Sequence, residues 1–247
     1  MKVLGIDTTA GVAAVAVTDG KKIISNFTLD SGNTHSATLL PIIEASLAAL
    51  SLAPKDIDLI SVAAGPGSFT GVRIGAASAK GIAFAHDVPC VGVSSLEAMA
   101  ENLSSIPGIV CPVINARTAG VFTALFRTDG ASCPERLTDD ATLKTEELAE
   151  ILKEYENEDI YFTGDAYEIV RDAVSLPNVK DTPVLLRRQN AFGVAALGER
   201  IYCGANDEEK AKMTGDALSV IYLRKPQAER EREERIAAEK NNAEEKE

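Results

Sequence analysis

The sequence predicts a two-lobed α/β protein in which each lobe is a mixed sheet with packed helices. Three observations carry this prediction. Short apolar runs and helix-period runs follow one another in the first hundred residues in the order β-β-β-α-β-α-β-α, and a β-α-β crossover implies a parallel strand pair. The pattern partly repeats after a proline and glycine break at residues 105–108, which places a boundary there. A chain of 247 residues with 45% hydrophobic content is long and apolar enough to fill a core in each lobe. The expected organisation is an N-terminal lobe at 1–105, a C-terminal lobe at 106–225 and a charged tail at 226–247.

Residues 2–7, 12–18 and 21–29 are apolar or alternating runs separated by "DTTAG" and "TDGKK", turn chemistries that join strands into an antiparallel meander. Within "GNTHSATLLPIIEASLAAL", Leu39, Leu40, Ile43, Leu47 and Leu50 return at helical spacing behind a cap at Asn33 or Thr34, with Pro41 near enough to the start to be tolerated. A strand at 58–64, a helix at 72–85, a strand at 88–93 and a helix from Ser94 or Ser95 complete the first lobe. In the second, 109–115 and 121–127 read as paired strands, 145–155 and 191–202 as helices, and 160–163 as a short strand. From Pro226 onward the charges alternate with almost no apolar residue, which predicts a frayed or disordered tail.

The stretch "AAGPGSFTGVRIG", residues 63–75, joins a strand to a helix, where backbone N–H groups and the helix dipole favour an anion. The phosphate and nucleophile templates nevertheless miss it. No glycine in it opens G-x-x-x-x-G-K-[ST], Thr70 stands where G-x-G-x-x-G needs glycine, and Pro66 and Thr70 flank Ser68 where G-x-S-x-G needs glycines. What the spacing does provide is a small-residue face. Gly71, Gly75 and Ala79 recur four apart with Ser78 and Ile82 beside them, a surface to which another element can come close, either inside the fold or at an oligomer interface. Asp7, Thr8 and Thr9 end the first strand before a hairpin return, where an acid and two hydroxyls suit a metal-bound phosphate or, equally, a side-chain-capped turn.

The remaining inventory excludes function classes. A formal charge of −12 repels a polyanion such as RNA unless a basic partner supplies the contact. His35 and His86 are the only histidines, so a two-histidine H-x-x-x-H metal site is absent from the sequence. Cys90, Cys111, Cys133 and Cys203 are widely spaced with no C-x-x-C, as expected of reduced structural thiols. No run approaches the roughly 20 apolar residues of a membrane span, and Met1 leads straight into a strand pattern, so the expectation is a cytoplasmic protein without a membrane partner.

"VLGIDTT", "HSATLLPIIEASL", "GPGSFTGVRIGAASAKGIA" and "VGVSSLEAMA" together resemble the TsaB (YeaZ) family of the actin, sugar kinase and heat-shock chaperone ATPase superfamily. The resemblance covers residues 1–102, with support at "YLRKPQAE", residues 222–229. It implies two actin-like ATPase-type lobes and a non-catalytic role beside the paralogue TsaD in forming N6-threonylcarbamoyladenosine next to the anticodon of tRNA. The metal then belongs to TsaD, whose two motif histidines fall by local pattern at Ser95 and Met99, neither of which is a competent replacement ligand. The implied partners are TsaD as a heterodimer and the ATPase TsaE, with a homodimer when TsaD is absent and tRNA reached only through the complex. The expected partner interface is formed by His35, Leu39, Ile43, Gly71, Gly75, Ser78, Ala79 and Ile82. No cofactor is expected to bind tightly. ATP or ADP at the complex interface, and a weak nucleotide contact at Asp7, Thr8 and Thr9, are what the resemblance leaves. One departure is "NARTAGVFTALF", where Asn115 and a single Arg117 replace the acid and paired arginines common in relatives. The competing expectation is an independent ATP-dependent kinase acting on a small molecule through Asp7. A peptidase built on Ser68 lacks any serine, histidine and acid grouping.

Overall fold

A computed structural model describes residues 1–117 and 120–223. The expected tail, 226–247, lies outside the described residues. The chain opens with the meander: β1 (Lys2–Asp7), β2 (Ala13–Asp19) and β3 (Lys22–Leu29) pair antiparallel in sequence. α1 (His35–Ala49), β4 (Leu59–Ala63), α2 (Phe69–His86), β5 (Cys90–Val93) and α3 (Ser95–Glu101) follow. β4 lies parallel to both β1 and β5, giving the sheet order β3-β2-β1-β4-β5. Alternation along β1 divides its faces. Leu4 and Ile6 enter a core roofed by α1 and α2, while Val3 enters a second core on the opposite face.

The second sheet repeats this connectivity with shorter strands. β6 (Gly108–Asn115) takes β7 (Val121–Thr123) and β8 (Phe126–Thr128) antiparallel against its two halves, so the single strand expected at 121–127 is broken at Ala124 and Leu125. The register and the alternation run through the break: Leu125 enters the core under α4 (Thr145–Leu152) and Ala124 and Phe126 the other face, while Pro112, opposite Ala124 in that register, has no N–H for the ladder. β9 (Glu135–Arg136) and β10 (Ala141–Leu143) extend the two branches, and β11 (Ile160–Thr163) and β12 (Val179–Lys180) continue parallel to β6. α5 (Tyr167–Ala173) packs beside α4 on this sheet.

α3 is the joint between the lobes. Leu96, Met99 and Leu103 share one buried cluster with Val110, Ile114, Phe122 and Phe126 of the second sheet, each such side chain stabilising the contact by about 1.5–3 kcal/mol. An ionic rim closes the same joint. Arg136 reaches Asp140 at 2.6 Å and Glu97 at 3.3 Å, and Arg200 reaches Glu101 at 2.8 Å and Glu97 at 3.3 Å.

Part of the 106–225 stretch packs on the first sheet. α6 (Ala191–Gly204) returns to cover the first sheet, with Val194, Ala195 and Leu197 packed on Val3, Leu59 and Val91. Gly5 and Gly198 make that approach fit. A β carbon on Gly5 would overlap the Ala191 carbonyl, and one on Gly198 would meet Ser61 Oγ. α7 (Asp207–Ala211) and a strap to Leu223 then follow, the strap running beside the edge strand β5 of the first sheet. Cys90 N donates to Met213 O, Leu218 enters the core beneath α2, and Ile221 N donates to Ala64 O.

Candidate functional site

The loop after β1 and the start of α2 form one unit. Thr8 Oγ1 donates to Gly71 O at 2.7 Å, Thr9 Oγ1 and Thr9 N donate to Asp7 Oδ1 at 2.6 and 2.8 Å, and Ser68 N donates to Thr9 O at 2.6 Å. The glycines of "GPGSFTGVRIG" are what allow this. A β carbon on Gly67 would overlap Thr9 O, one on Gly71 would overlap Thr8 O, and one on Gly75 would press on Thr8 Oγ1. The small-residue face therefore receives the chain's own β1–β2 loop, not a partner helix. Ser68 caps α2 by accepting from Gly71 N at 3.3 Å, the role of a capping residue rather than a nucleophile.

The expected interface residues divide accordingly. Leu39 and Ile43 on α1 and Gly71, Gly75 and Ala79 on α2 are buried within the chain. Ser78 and Ile82 are half-buried, Ile82 against the same core. His35, also half-buried, makes a 2.7 Å hydrogen bond between Nε2 and Ala10 O and so ties the start of α1 to the β1–β2 loop. The surface that faces outward consists of their neighbours. Leu40 is 49% exposed and Phe84 82% exposed, Pro41 lies on the open side of α1, and above Gly81 there is open space. The leucine periodicity that marks α1 does not separate Leu40 from Leu39, because the two flank one boundary of the apolar stripe.

Asp7, at the end of β1, is fully buried, with Oδ2 unpaired among the described residues. Burial pushes its carboxyl up to about 6, against the Thr9 hydrogen bonds and the His35 charge, while the charge of Asp165 in the second lobe adds to the rise. Asp165 is raised as well, mainly by burial, though Asn115 N donates to it at 2.8 Å and Arg188 lies nearby. The Thr8 and Thr9 hydroxyls are buried and already donating within the chain, so neither is free to donate to a phosphate. Asp165 is a site residue that the sequence reading does not single out; its position directly after Thr163-Gly164, at the end of a strand, is the available signal.

Two further positions bear on chemistry. Ser95 is fully buried and donates to Pro66 O, and Met99 is fully buried in the apolar joint between the lobes. Among the described residues no group of three or more histidine, cysteine, aspartate or glutamate side chains is placed to hold a metal ion. Cys90 and Cys111 are buried, which raises their thiols to about 11 and about 12, and all four cysteines are free. Among the described residues no helix is long and apolar enough to cross a membrane. His86 stands in the last turn of α2, where positive charge suits the helix dipole, ahead of Asp87 in the left-handed region at φ 54°.

Comparison with known proteins gives a consistent set of relatives. The family model for TsaD, tRNA N6-adenosine threonylcarbamoyltransferase, matches residues 22–231. The tRNA threonylcarbamoyladenosine biosynthesis protein TsaB of Bacillus subtilis (strain 168) is 34% identical over 154 residues, 62% of this chain and 67% of that protein. TsaB of Escherichia coli (strain K12) is 31% identical over 160 residues, 64% of this chain and 69% of that protein. In fold, the chain is similar to YeaZ from Pseudomonas aeruginosa, with a TM-score of 0.73 at 23% identity over 90% of this chain and 99% of that one.

Proposed function

This chain belongs to the TsaB (YeaZ) family of the actin-like ATPase superfamily, and from that premise we propose that it serves the formation of N6-threonylcarbamoyladenosine in tRNA as the non-catalytic partner of a TsaD protein. One observation carries the non-catalytic part. At the two positions where the resemblance puts TsaD's metal-binding histidines, Ser95 is spent on a carbonyl inside the fold and Met99 on the apolar joint. The catalytic metal then resides in TsaD, and this chain contributes surface and shape.

The surface is the outward side of α1 and α2, with Leu40, Pro41, Gly81 and Phe84 at its centre. Its apolar and small side chains suit a pair of helices from TsaD, and the same face pairs two copies of this chain when TsaD is absent. TsaE completes the assembly, any ATP or ADP is held at the interfaces of the complex, and tRNA is contacted through the more basic partners in the cytoplasm. The kinase alternative is not favoured by the site, since the hydroxyls it requires are already committed.

Reconstitution tests this. With purified TsaD, TsaE, tRNA and the enzyme that makes the carbamoyl-adenylate donor, product forms only when this chain is added. Modified tRNA made without TsaD, or Mg-ATP turnover by the isolated chain, overturns the proposal.

A further inference from the structure

Along the exposed side of α2, Arg73, Ala77, Gly81 and Phe84 follow at helical spacing, so the arginine stands on the same stripe as the apolar partner face. Its side chain is held in place. The guanidinium lies 3.8 Å above the Phe69 ring and 5.7 Å from the Tyr222 ring, and Nε donates to Tyr222 Oη at 2.8 Å. Phe69 and Tyr222 are themselves in contact, with ring centroids 5.0 Å apart. Tyr222 belongs to the strap, which is anchored one residue earlier by the Ile221–Ala64 hydrogen bond.

What this exposed arginine lacks among the described residues is a counter-ion. Arg127, Arg136 and Arg200 each reach a carboxylate at 2.9, 2.6 and 2.8 Å. Arg73 has none among the described residues, and its two Nη groups carry no hydrogen bond there. It also sits close to the N-terminus of α2, whose first turn holds no acidic residue and where a cation is disfavoured by the helix dipole. A side chain normally forfeits rotamer entropy when it makes an interfacial contact, and the stack has already removed that freedom from Arg73.

We propose that Arg73, clamped by Phe69 and Tyr222, is the charged anchor of the partner face and takes a carboxylate from the partner helix that packs over Gly81 and Phe84. The inference rests on the helix-pair reading given above. The guanidinium fork fixes the geometry of the incoming acid, so the contact sets the register of the partner helix as well as contributing affinity. Arginine and tyrosine in such arrangements are characteristic of residues that dominate an interface.

Titration calorimetry of this chain with purified TsaD, at low and at physiological salt, tests both levels. Phe84→Asp probes the helix face, and Arg73→Met, Arg73→Lys and Tyr222→Phe probe the anchor. The expected results are abolished binding for Phe84→Asp and about ten-fold weaker binding for Arg73→Met with its salt dependence flattened. Arg73→Lys should recover only part of the loss, and Tyr222→Phe should cost about three-fold at an unchanged melting temperature. If Phe84→Asp abolishes binding while Arg73→Met stays within about two-fold of the parent, the helix face stands and the anchor is overturned. If Arg73→Met weakens binding but keeps the parent's salt dependence, Arg73 merely fastens the strap, and the anchor is overturned as well. If neither Phe84→Asp nor Arg73→Met weakens binding, the helix-pair reading fails and takes the anchor with it.

Discussion

The two lobes share a connectivity and hold it together by different means. In the first, β1 and β2 are buried on both faces over six and seven residues and only the edge strand β3 is open, while glycines let backbone meet backbone at Gly5, Gly67 and Gly71, as they do at Gly108, Gly120 and Gly164 in the second. In the second, β7 to β10 are two or three residues long, and side chains bonded to main-chain carbonyls supply much of the order. Thr128 Oγ1 donates to Gly108 O at 3.1 Å, Thr182 Oγ1 to Phe162 O at 2.6 Å, and Asn178 Nδ2 to Glu158 O at 2.7 Å. The lesson is that one topology can be specified by longer strands buried on both faces, or by short strands whose missing ladder bonds polar side chains replace, with close backbone packing at glycines common to both.

The contrast can be broken most severely at Gly71. Gly71→Val would drive a side chain into the Thr8 carbonyl, a backbone atom that cannot yield cheaply, and the expected loss is about 4 kcal/mol or more, read as insolubility or a collapse of the melting temperature. Asp7→Asn should act in the opposite sense. The native carboxyl holds its proton up to about pH 6, while the unfolded one releases it near 3.8, so the folded state loses stability as pH rises between those values and stays lower above them. The asparagine variant should therefore be more stable by about 3 kcal/mol at pH 7–8 and gain nothing near pH 4, as denaturant unfolding at the two pH values would report. In the second lobe, Thr182→Val should cost about 1–2 kcal/mol by stranding the Phe162 carbonyl, measurable in the same assay. Smallest of all is the stability effect of Phe84→Ser, expected within about 0.5 kcal/mol because the ring is 82% exposed.

The same contrast explains what can be read from the sequence. β1 and β11 have the bounds their apolar runs predict, and each helix of the first lobe is predicted, because long amphipathic runs announce themselves. β9, β12 and α5 escape prediction. Two-residue strands carry no periodicity, and "YEIVRDA" buries only Tyr167 and Val170, too few to show a stripe. The glycine string is legible as a close-packing surface, but spacing on α2 cannot say what fills it. The occupant, Thr8, is more than sixty residues away in the chain, and only the parallel β1–β4 pairing brings it there. Asp7 stands out from its place at a strand end. Its unpaired oxygen and its acidic neighbour Asp165 depend on how the lobes meet, which local pattern does not encode.

α6 has a consequence in time as well as in space. A ribosome delivers Val3, Leu59 and Val91 long before Val194 and Leu197, so the first sheet emerges with one face roofed by α1 and α2 and the other bare. That face must wait through the synthesis of the whole second lobe before its cover arrives. An N-terminal fragment ended at residue 105 should accordingly bind hydrophobic dyes and aggregate, and stopping the chain at residue 190 should be nearly as damaging as stopping it at 105. α6, made late, thus decides whether the first sheet made becomes native.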